Sequence, residues 1–225
     1  MAEFQDWTAL FLTIKLAGLT TIILLVFGTP LALWLSRYQG AWKPVFEAIV
    51  ALPLVLPPTV LGFYLLVAFS PSYLPGQWWL QTTGSSLAFS FTGILIGSVL
   101  YSLPFVIQPL QNAFEQLGDE LEEAAATLGA TSVDRFFNLI LPLTKTSFVT
   151  AATLGFAHTI GEFGVVLMIG GNIPGETQVL SISLFDHVEA LEYDKAHAIA
   201  LGLLVFSLIT LSLVNGFNRK RSVLS

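Results

Sequence analysis

Two ionisable residues, His158 and Glu162, lie four positions apart next to a long stretch without charged side chains. In a helix, residues at i and i+4 lie on the same face. A histidine and a carboxylate arranged in this way could pass protons, gate a pathway or supply two metal ligands. A metal site needs more ligands than these, and the sequence has no cysteine to serve as ligand or nucleophile. We therefore expect no metal and no catalytic residue.

The composition excludes an ordinary water-soluble protein. Lys, Arg, Asp and Glu make up 11% of the 225 residues, whereas a typical soluble domain has roughly 25%. The mean hydropathy is +0.76, and a net charge of −6 argues against nucleic acid as a partner. Four stretches contain no charged residue: 16–36, 48–114, 146–161 and 198–218. These stretches are long enough for membrane-spanning helices and predict an all-α membrane protein.

We interpret the apolar stretches as five spans in a single domain, residues 1–225, with a sixth helix possible in the loops. The spans are 9–36, 46–69, 87–112, 145–169 and 197–218. Cytoplasmic loops are rich in Lys and Arg, and one orientation places seven of the nine basic residues inside: Arg37, Lys43, Arg135, Lys145, Arg219, Lys220 and Arg221. This orientation predicts an outer amino terminus, a cytoplasmic carboxyl terminus, a cytoplasmic loop at 113–144 and an outer loop at 170–196.

Two charged side chains remain inside the predicted spans, Lys15 and Glu162. Each is about seven residues from the outer end of its span, which corresponds to a depth of ~10 Å. An intramembrane charge is costly and is a functional candidate by default. We expect the two to form an ion pair or to lie close together. The alternative is that the Lys15 ammonium reaches the membrane interface by itself.

Prolines interrupt the second predicted span. Residues 53–58 contain Pro53, Pro57 and Pro58, and each proline removes a backbone donor and breaks the helical ladder. Broken backbone at membrane depth is tolerated where it is buried in protein or lines a cavity. A pathway wall is one explanation, and a packing kink is the other. The candidates for the pathway or its gate are Pro57, Pro58, Thr59, His158, Thr159 and Glu162.

The cytoplasmic loop predicts two short helices. Asp119 and Glu122 have the spacing of a capping box, and Gly129 suits a left-handed helix stop. Thr131 would cap a second helix that ends at Leu141 and Pro142. From the pattern alone, this segment could be an amphipathic connector on the membrane surface.

The same segment resembles the EAA loop of binding-protein-dependent ABC importer permeases. The resemblance covers Glu123, Ala124, Ala125, Gly129, Leu141 and Pro142, with Leu139 where the family pattern has isoleucine. It implies a type I importer fold in which these residues couple the permease to a separate ATPase subunit, present in two copies. It also implies a second copy of this chain, with the pathway between the copies. No phosphate-binding GxxxxGK[ST] motif is present, so ATP and Mg²⁺ are expected on the ATPase and no cofactor on this chain.

Residues 160–164, Ile-Gly-Glu-Phe-Gly, resemble the signature of the molybdate and sulfate branch of these permeases. Residues 57–62 and 165–181 are most similar to the molybdate permeases. The resemblance implies ATP-driven molybdate import across the cytoplasmic membrane, with an outer molybdate-binding protein docking on 170–196. That loop could equally be a helix lying on the outer membrane face. Sulfate, thiosulfate or tungstate remain alternative cargoes, and an ion-coupled carrier that uses His158 and Glu162 for protons is an alternative class.

Overall fold

The computed structural model describes the backbone of residues 2–222 and the side chains of residues 6–212. Within this part of the chain, all regular structure is helical. The first half contains α1 Ala2–Arg37, α2 Lys43–Val55, α3 Pro58–Phe69, α4 Leu74–Thr83 and α5 Phe91–Leu117. The second half contains α6 Glu120–Thr127, α7 Ser132–Arg135, a π-helical turn Phe136–Ile140, α8 Leu141–Ile160, α9 Gly164–Gly170, α10 Leu180–Glu189 and α11 Tyr193–Ser222.

The prediction of an all-helical membrane protein is confirmed. Four segments are long and apolar enough to cross a membrane: Asp6–Arg37, Phe91–Leu117, Ser132–Ile160 and Tyr193–Ser212. A fifth candidate is the pair α2 and α3, which is bent by 108° at its break. The predicted interruption of the span 46–69 at its prolines is therefore confirmed. Leu56 and Pro57 are extended and Pro58 lacks an N–H, so the helical ladder stops and restarts in a new direction.

A second helix break corrects the predicted span 145–169. α8 ends at Ile160, and α9 begins only at Gly164. The residues between them include Glu162, so the predicted intramembrane carboxylate lies at a helix break and not inside a helix. The other spans are confirmed with shifted ends, since α5 runs to Leu117 and α11 begins at Tyr193.

The bundle forms around α1, α5 and α8, which make the most extensive contacts with one another. Small residues allow the helices to approach closely. A Cβ atom on Gly155 of α8 would lie 2.6 Å from a methyl group of Val106 on α5, so this crossing depends on glycine. Two apolar clusters fill the bundle, one around Ile94 and Val165 and the other around Ile107 and Leu110.

Basic residues gather at one end of the bundle. Arg37, at the end of α1, forms an ion pair with Glu122 of α6. Lys43, at the start of α2, binds Glu115 of α5 with a nitrogen–oxygen distance of 3.0 Å. These contacts place the predicted cytoplasmic basic residues and the loop after α5 on the same side. The basic tail at 218–221 falls in α11, but its side chains lie outside the described ones.

The opposite end ties α1 to α10. The Asp6 carboxylate accepts hydrogen bonds from the Ser183 hydroxyl at 2.6 Å and from His187 Nε2 at 3.1 Å. About two helical turns further along α1 than Asp6, the Thr13 hydroxyl accepts a hydrogen bond from the Leu180 N–H at 2.8 Å. The predicted outer loop 170–196 therefore contains a helix that is held against the amino-terminal part of α1.

The loop predicted at 113–144 is shorter than expected, because α5 extends to Leu117 and the helix that leads into α8 starts at Ser132. Gly129 has a φ of +91°, as expected for a left-handed stop. The Thr131 hydroxyl accepts from the Asp134 N–H at 3.2 Å and forms the predicted cap. The capping box at Asp119 is wrong, since this residue makes no side-chain cap and the Glu122 carboxylate binds Arg37 instead.

The prediction that Leu141 and Pro142 end the second short helix is also wrong. The chain continues from α7 through the π-helical turn into α8 without a break. The Leu141 N–H donates to the Phe136 carbonyl five residues earlier, and Pro142 occupies the first turn of α8. Proline lacks an N–H and interrupts the regular ladder, and Pro142 comes directly after the turn in which that ladder has already changed to the wider π-helical spacing.

Candidate functional site

A cavity of about 590 Å³ lies where the two broken helices meet. Four of the residues predicted from the sequence line it: Pro58, Thr59, His158 and Glu162. The other lining residues are Tyr101, Ala157, Gly161, Phe163, Gly164, Leu167 and Met168. The structure therefore brings together residues that are about 100 positions apart in the chain, at the break between α2 and α3 and the break between α8 and α9.

The first turn of α3 forms one wall of the cavity. Pro57 is its N-cap and provides no side-chain cap, and Pro58 has no N–H. The N–H groups of Val60 and Leu61 donate to the Pro57 carbonyl at 2.9 and 3.3 Å. Within the described chain, the Thr59 N–H has no backbone acceptor. Helix N-termini with free N–H groups attract anions, so this wall presents an amide and a hydroxyl suited to an oxyanion.

Close packing holds the two breaks together. A Cβ atom on Gly164 would lie 2.7 Å from the Pro58 Cβ, and one on Gly62 would lie 2.7 Å from the Met168 Cβ. α3 and α9 therefore pack along their length through glycines. As a result, the α3 N-terminus faces the segment that contains Glu162.

His158 is fixed by a hydrogen-bond chain on the α5 side of the cavity. The Thr159 hydroxyl donates to the Gly155 carbonyl at 2.9 Å, so it accepts from the Ser102 hydroxyl at 3.0 Å. The Ser102 oxygen in turn accepts from His158 Nδ1 at 3.0 Å. These hydrogen bonds assign the proton of a neutral His158 to Nδ1 and leave the lone pair on Nε2.

Aromatic rings hold the imidazole from two sides. The Phe105 ring stacks on His158 with a centroid distance of 3.8 Å, and the Tyr101 ring lies 4.9 Å away. The sequence analysis missed Tyr101 and Phe105, although their i and i+4 spacing on a predicted span places them on one helix face.

Glu162 is buried and its carboxyl group has no hydrogen-bond partner. The residue is 4% exposed, and neither oxygen reaches a donor among the described residues. The Ser98 hydroxyl approaches without completing a hydrogen bond. The Glu162 backbone carbonyl is held instead, by the Ser181 hydroxyl at 2.5 Å. A buried unpaired carboxyl group is costly, so Glu162 remains a candidate functional residue.

The predicted ion pair between Lys15 and Glu162 is not formed. Lys15 is exposed on α1, and its ammonium lies 4.4 Å from the centre of the Phe91 ring. The exposed side chain of Lys15 reaches across to Phe91 at the start of α5, and the carboxyl oxygens of Glu162 have no partner among the described residues. The contact of the Lys15 ammonium with the aromatic face is a cation–π interaction.

The remaining pathway candidates lie beside the cavity. Pro57 is next to the lining residue Pro58, and Thr159 is buried behind His158 in the hydrogen-bond chain. Among the residues that the structure describes, no three His, Asp or Glu side chains come close enough together to hold a metal ion.

The residues of the predicted coupling loop lie at the basic end of the bundle. Glu123 and Ala124 are exposed on α6, Ala125 is half-buried and Gly129 is exposed at the stop. Leu128 is 89% exposed, and a large apolar side chain in this position fits a protein contact. Leu141 and Pro142 lie at the start of α8 and not at the end of a helix.

The other end of the bundle carries a polar network around α10. Asp186 accepts from Asn172 at 2.9 Å and from Gln178 at 2.8 Å, which closes the loop before α10. Glu192 binds Lys195 and His187 at 2.9 and 2.8 Å. Hydrogen bonds from Lys195 and then His187 lower the pKa of Glu192 below its ordinary value. This end is therefore ordered by charged contacts between α1, α10 and α11.

Residues 10–223 match the family model of the binding-protein-dependent transport system inner membrane component. The chain is 53% identical to the molybdenum transport system permease protein ModB of Azotobacter vinelandii over 98% of both chains. It is 31% identical to the ModB protein of Escherichia coli K12 over 96% of both chains. A sulfate transport system permease protein, CysT of the same strain, is 36% identical over 84% of this chain and 68% of its own.

Solved structures share the fold. A bacterial alginate ABC transporter in complex with an alginate-bound periplasmic protein superposes with a TM-score of 0.73, at 19% identity, over 95% of this chain and 78% of the other. The inward-facing MetNI methionine ABC transporter gives a TM-score of 0.69 at 15% identity, over 97% and 96%. The predicted type I ABC importer permease fold is confirmed.

Proposed function

The chain belongs to the family of binding-protein-dependent transport system inner membrane components, and we propose that it is the permease subunit of an ATP-driven molybdate importer. Two copies would form the translocation pathway at their interface. The identity of 53% with a molybdenum transport permease over nearly the whole chain supports molybdate as the cargo.

The cavity between the two helix breaks is the observation that carries this proposal at the level of the site. It offers an oxyanion the Thr59 N–H at the start of α3 and the Thr59 hydroxyl. Discontinuous helices with their N-termini towards a cavity are a recurrent way to handle anions at membrane depth. No Lys or Arg is among the described residues that line the cavity. Weak binding suits a permease that receives its cargo from a separate capture protein.

The partners follow from the two ends of the bundle. Two copies of an ATPase subunit would bind the α6 end through Glu123, Ala124, Ala125 and Gly129, and would hold ATP and Mg²⁺ so that this chain needs no cofactor and performs no catalysis. A molybdate-binding protein would dock at the α10 end. The excess of basic residues at the α6 end supports a cytoplasmic position for that end, which would put the amino terminus outside and the carboxyl terminus inside.

In this mechanism, closure of the ATPases moves the α6 helices of both copies. That movement turns the cavity towards the outside for delivery, and ATP hydrolysis and release turn it back to the cytoplasm. Glu162 repels anions, so we assign it a structural or gating role at the helix break and not a ligand role. The buried position of its carboxyl group beside the cavity supports this assignment.

Reconstitution tests the proposal. The chain would be combined in vesicles with its ATPase and a molybdate-binding protein, and uptake of molybdate, tungstate, sulfate and thiosulfate would be measured with and without ATP. We expect ATP-dependent uptake with molybdate preferred. Thr59→Val, which removes the cavity hydroxyl at nearly constant volume, should lower uptake, whereas Thr82→Val on the exposed part of α4 should not. Uptake without the ATPase would contradict the proposal and favour an ion-coupled carrier.

Sulfate is the second candidate cargo, because a sulfate permease is 36% identical over most of this chain. The two tetrahedral dianions differ in size and not in charge type, so the choice depends on cavity dimensions and on the capture protein. Competition between molybdate and sulfate in the same vesicles decides between them. Preferred uptake of sulfate would replace the molybdate assignment and leave the importer class intact.

A further inference from the structure

Glu122 differs from the other acidic residues of the α6 segment. Of the eight residues of α6, all of them described, Glu122 alone is buried, at 8% exposed. Asp119, Glu120 and Glu123 are exposed. α6 itself packs mainly against the short helix α7 and has at most slight contact with α1 and α5. The contacts of Glu122 therefore decide how α6 is held.

The Glu122 side chain binds α1. Its carboxylate forms an ion pair with the guanidinium of Arg37, the last residue of that helix. α1 has 36 residues and at ~1.5 Å per residue extends over about 50 Å. Its opposite part binds α10 through Asp6 and Thr13. One continuous helix thus contacts α6 at one end and the outer loop at the other.

The Glu122 backbone binds α7, the short helix that leads into α8. Its carbonyl accepts from Arg135 Nη1 at 3.3 Å, and Arg135 Nη2 donates to the Ser132 hydroxyl at 3.1 Å. Arg135 directly precedes the π-helical turn that continues into α8. A π-helical turn within an α-helix is often found at functional sites. Glu122 is therefore bound by two helical segments that cross the membrane, α1 through its side chain and, through its main chain, α7, which is continuous with α8.

We propose that Glu122, paired with Arg37, is the positioning residue that joins the coupling helix α6 to the membrane helices and transmits its movement to them. The proposal rests on the proposed function for the identity of the partner that moves α6. It assigns transmission to a residue next to the motif Glu123, Ala124 and Ala125, in which Glu123 and Ala124 are exposed and remain available for the ATPase. Without the ion pair, α6 would follow the ATPase while α1 stays behind.

Transport stoichiometry in the reconstituted complex tests whether the pair of Arg37 and Glu122 transmits the movement of α6. Uptake per ATP hydrolysed would be compared for wild type, Glu122→Gln, Arg37→Gln and the exchange of both charges, Arg37→Glu with Glu122→Arg. Each single variant should lower this ratio by roughly tenfold while the ATPase still copurifies, because coupling and not assembly is lost. The exchange should restore the ratio to within about twofold of wild type, as expected for a re-formed pair. Glu120→Gln, an exposed neutralisation on the same helix, should leave it unchanged.

Unchanged ratios in both single variants, or an exchange that assembles without restoring the ratio, would overturn the proposal. If a single variant does not assemble, the double variant with swapped charges decides the question by the same ratio of uptake to ATP hydrolysed. Amide hydrogen exchange of residues 120–127 in the chain alone gives a readout that needs no cargo. Amide hydrogen exchange in this segment should be faster in Glu122→Gln than in Glu120→Gln. Equal rates would contradict the proposed attachment of α6 through Glu122. A wild-type complex that hydrolyses ATP without uptake would instead contradict the proposed function.

Discussion

Gly164 packs against Pro58 so closely that a Cβ atom on the glycine would lie 2.7 Å from the Pro58 Cβ. This contact joins the start of α9 to the first turn of α3, the two points where apolar segments break. Real Cβ contacts are longer, and the pyrrolidine ring has little freedom to move aside. The cavity wall therefore depends on a hydrogen atom at position 164.

Replacing Gly164 by alanine should widen the contact and shift the α3 N-terminus. Overpacking of this kind costs about 1–3 kcal/mol, so we expect a lower melting temperature and reduced ATP-dependent uptake. Gly18→Ala is the matched control, because a Cβ at Gly18 meets no atom within 4 Å and alanine favours a helix. Equal uptake by the two variants would show that the contact between Gly164 and Pro58 does not shape the pathway.

Replacing Glu162 by glutamine should separate stability from function. The buried carboxyl group has no partner in the described chain, and ionising it there would cost several kcal/mol. Glutamine has nearly the same shape and no charge. We therefore expect Glu162→Gln to melt at the same temperature or higher, with slower uptake because the gating group is altered. Thermal melts in detergent and uptake in vesicles measure the two effects, and a melting temperature lower by several degrees would indicate a stabilising partner for the carboxylate.

The sequence predicts how deep in the membrane a residue lies better than it predicts which face of its helix contacts the other helices. Charge-free stretches predicted the helices that could span a membrane, because burial of charge in hydrocarbon is costly whatever the packing. The pair Lys15 and Glu162 was inferred from equal depth alone. The structure places Lys15 over Phe91, since the packing of α1 against α5 and α8 sets its rotation and no single-sequence pattern around Lys15 reports that packing.

The sequence also predicted where the backbone breaks better than how it continues. Pro57 and Pro58 predicted the first break, but proline chemistry does not specify a bend of 108°. The break at Glu162 has no proline, and the sequence analysis did not predict it. Pro142 suggested a helix end, whereas a π-helical turn places this proline where its missing N–H is harmless. The site residues could be predicted because prolines and ionisable side chains stand out in apolar segments. That they line one cavity could not be predicted, because it depends on how the helices pack.

The two caps of the α6 and α7 segment should respond differently to alanine. Thr131 accepts a hydrogen bond from the Asp134 N–H, whereas Asp119 makes no side-chain cap. Loss of a real cap costs ~1 kcal/mol, so Thr131→Ala should accelerate amide hydrogen exchange in residues 132–135. Asp119→Ala should change exchange in residues 120–123 much less. A larger effect of Asp119→Ala would support the capping box that the sequence predicted at this residue.

Two buried threonines on α1 provide an internal comparison for the contact that holds α10. The Thr13 hydroxyl accepts from the Leu180 N–H at 2.8 Å and donates to the Ala9 carbonyl at 2.7 Å, whereas the Thr20 hydroxyl is buried without a partner among the described residues. Thr13→Val would leave a buried N–H unpaired, which costs about 1–3 kcal/mol. We expect a lower melting temperature and faster amide exchange in residues 180–183. Thr20→Val removes an unsatisfied hydroxyl and should be neutral or stabilising. Equal melting temperatures of the two variants would contradict a role for Thr13 in anchoring α10.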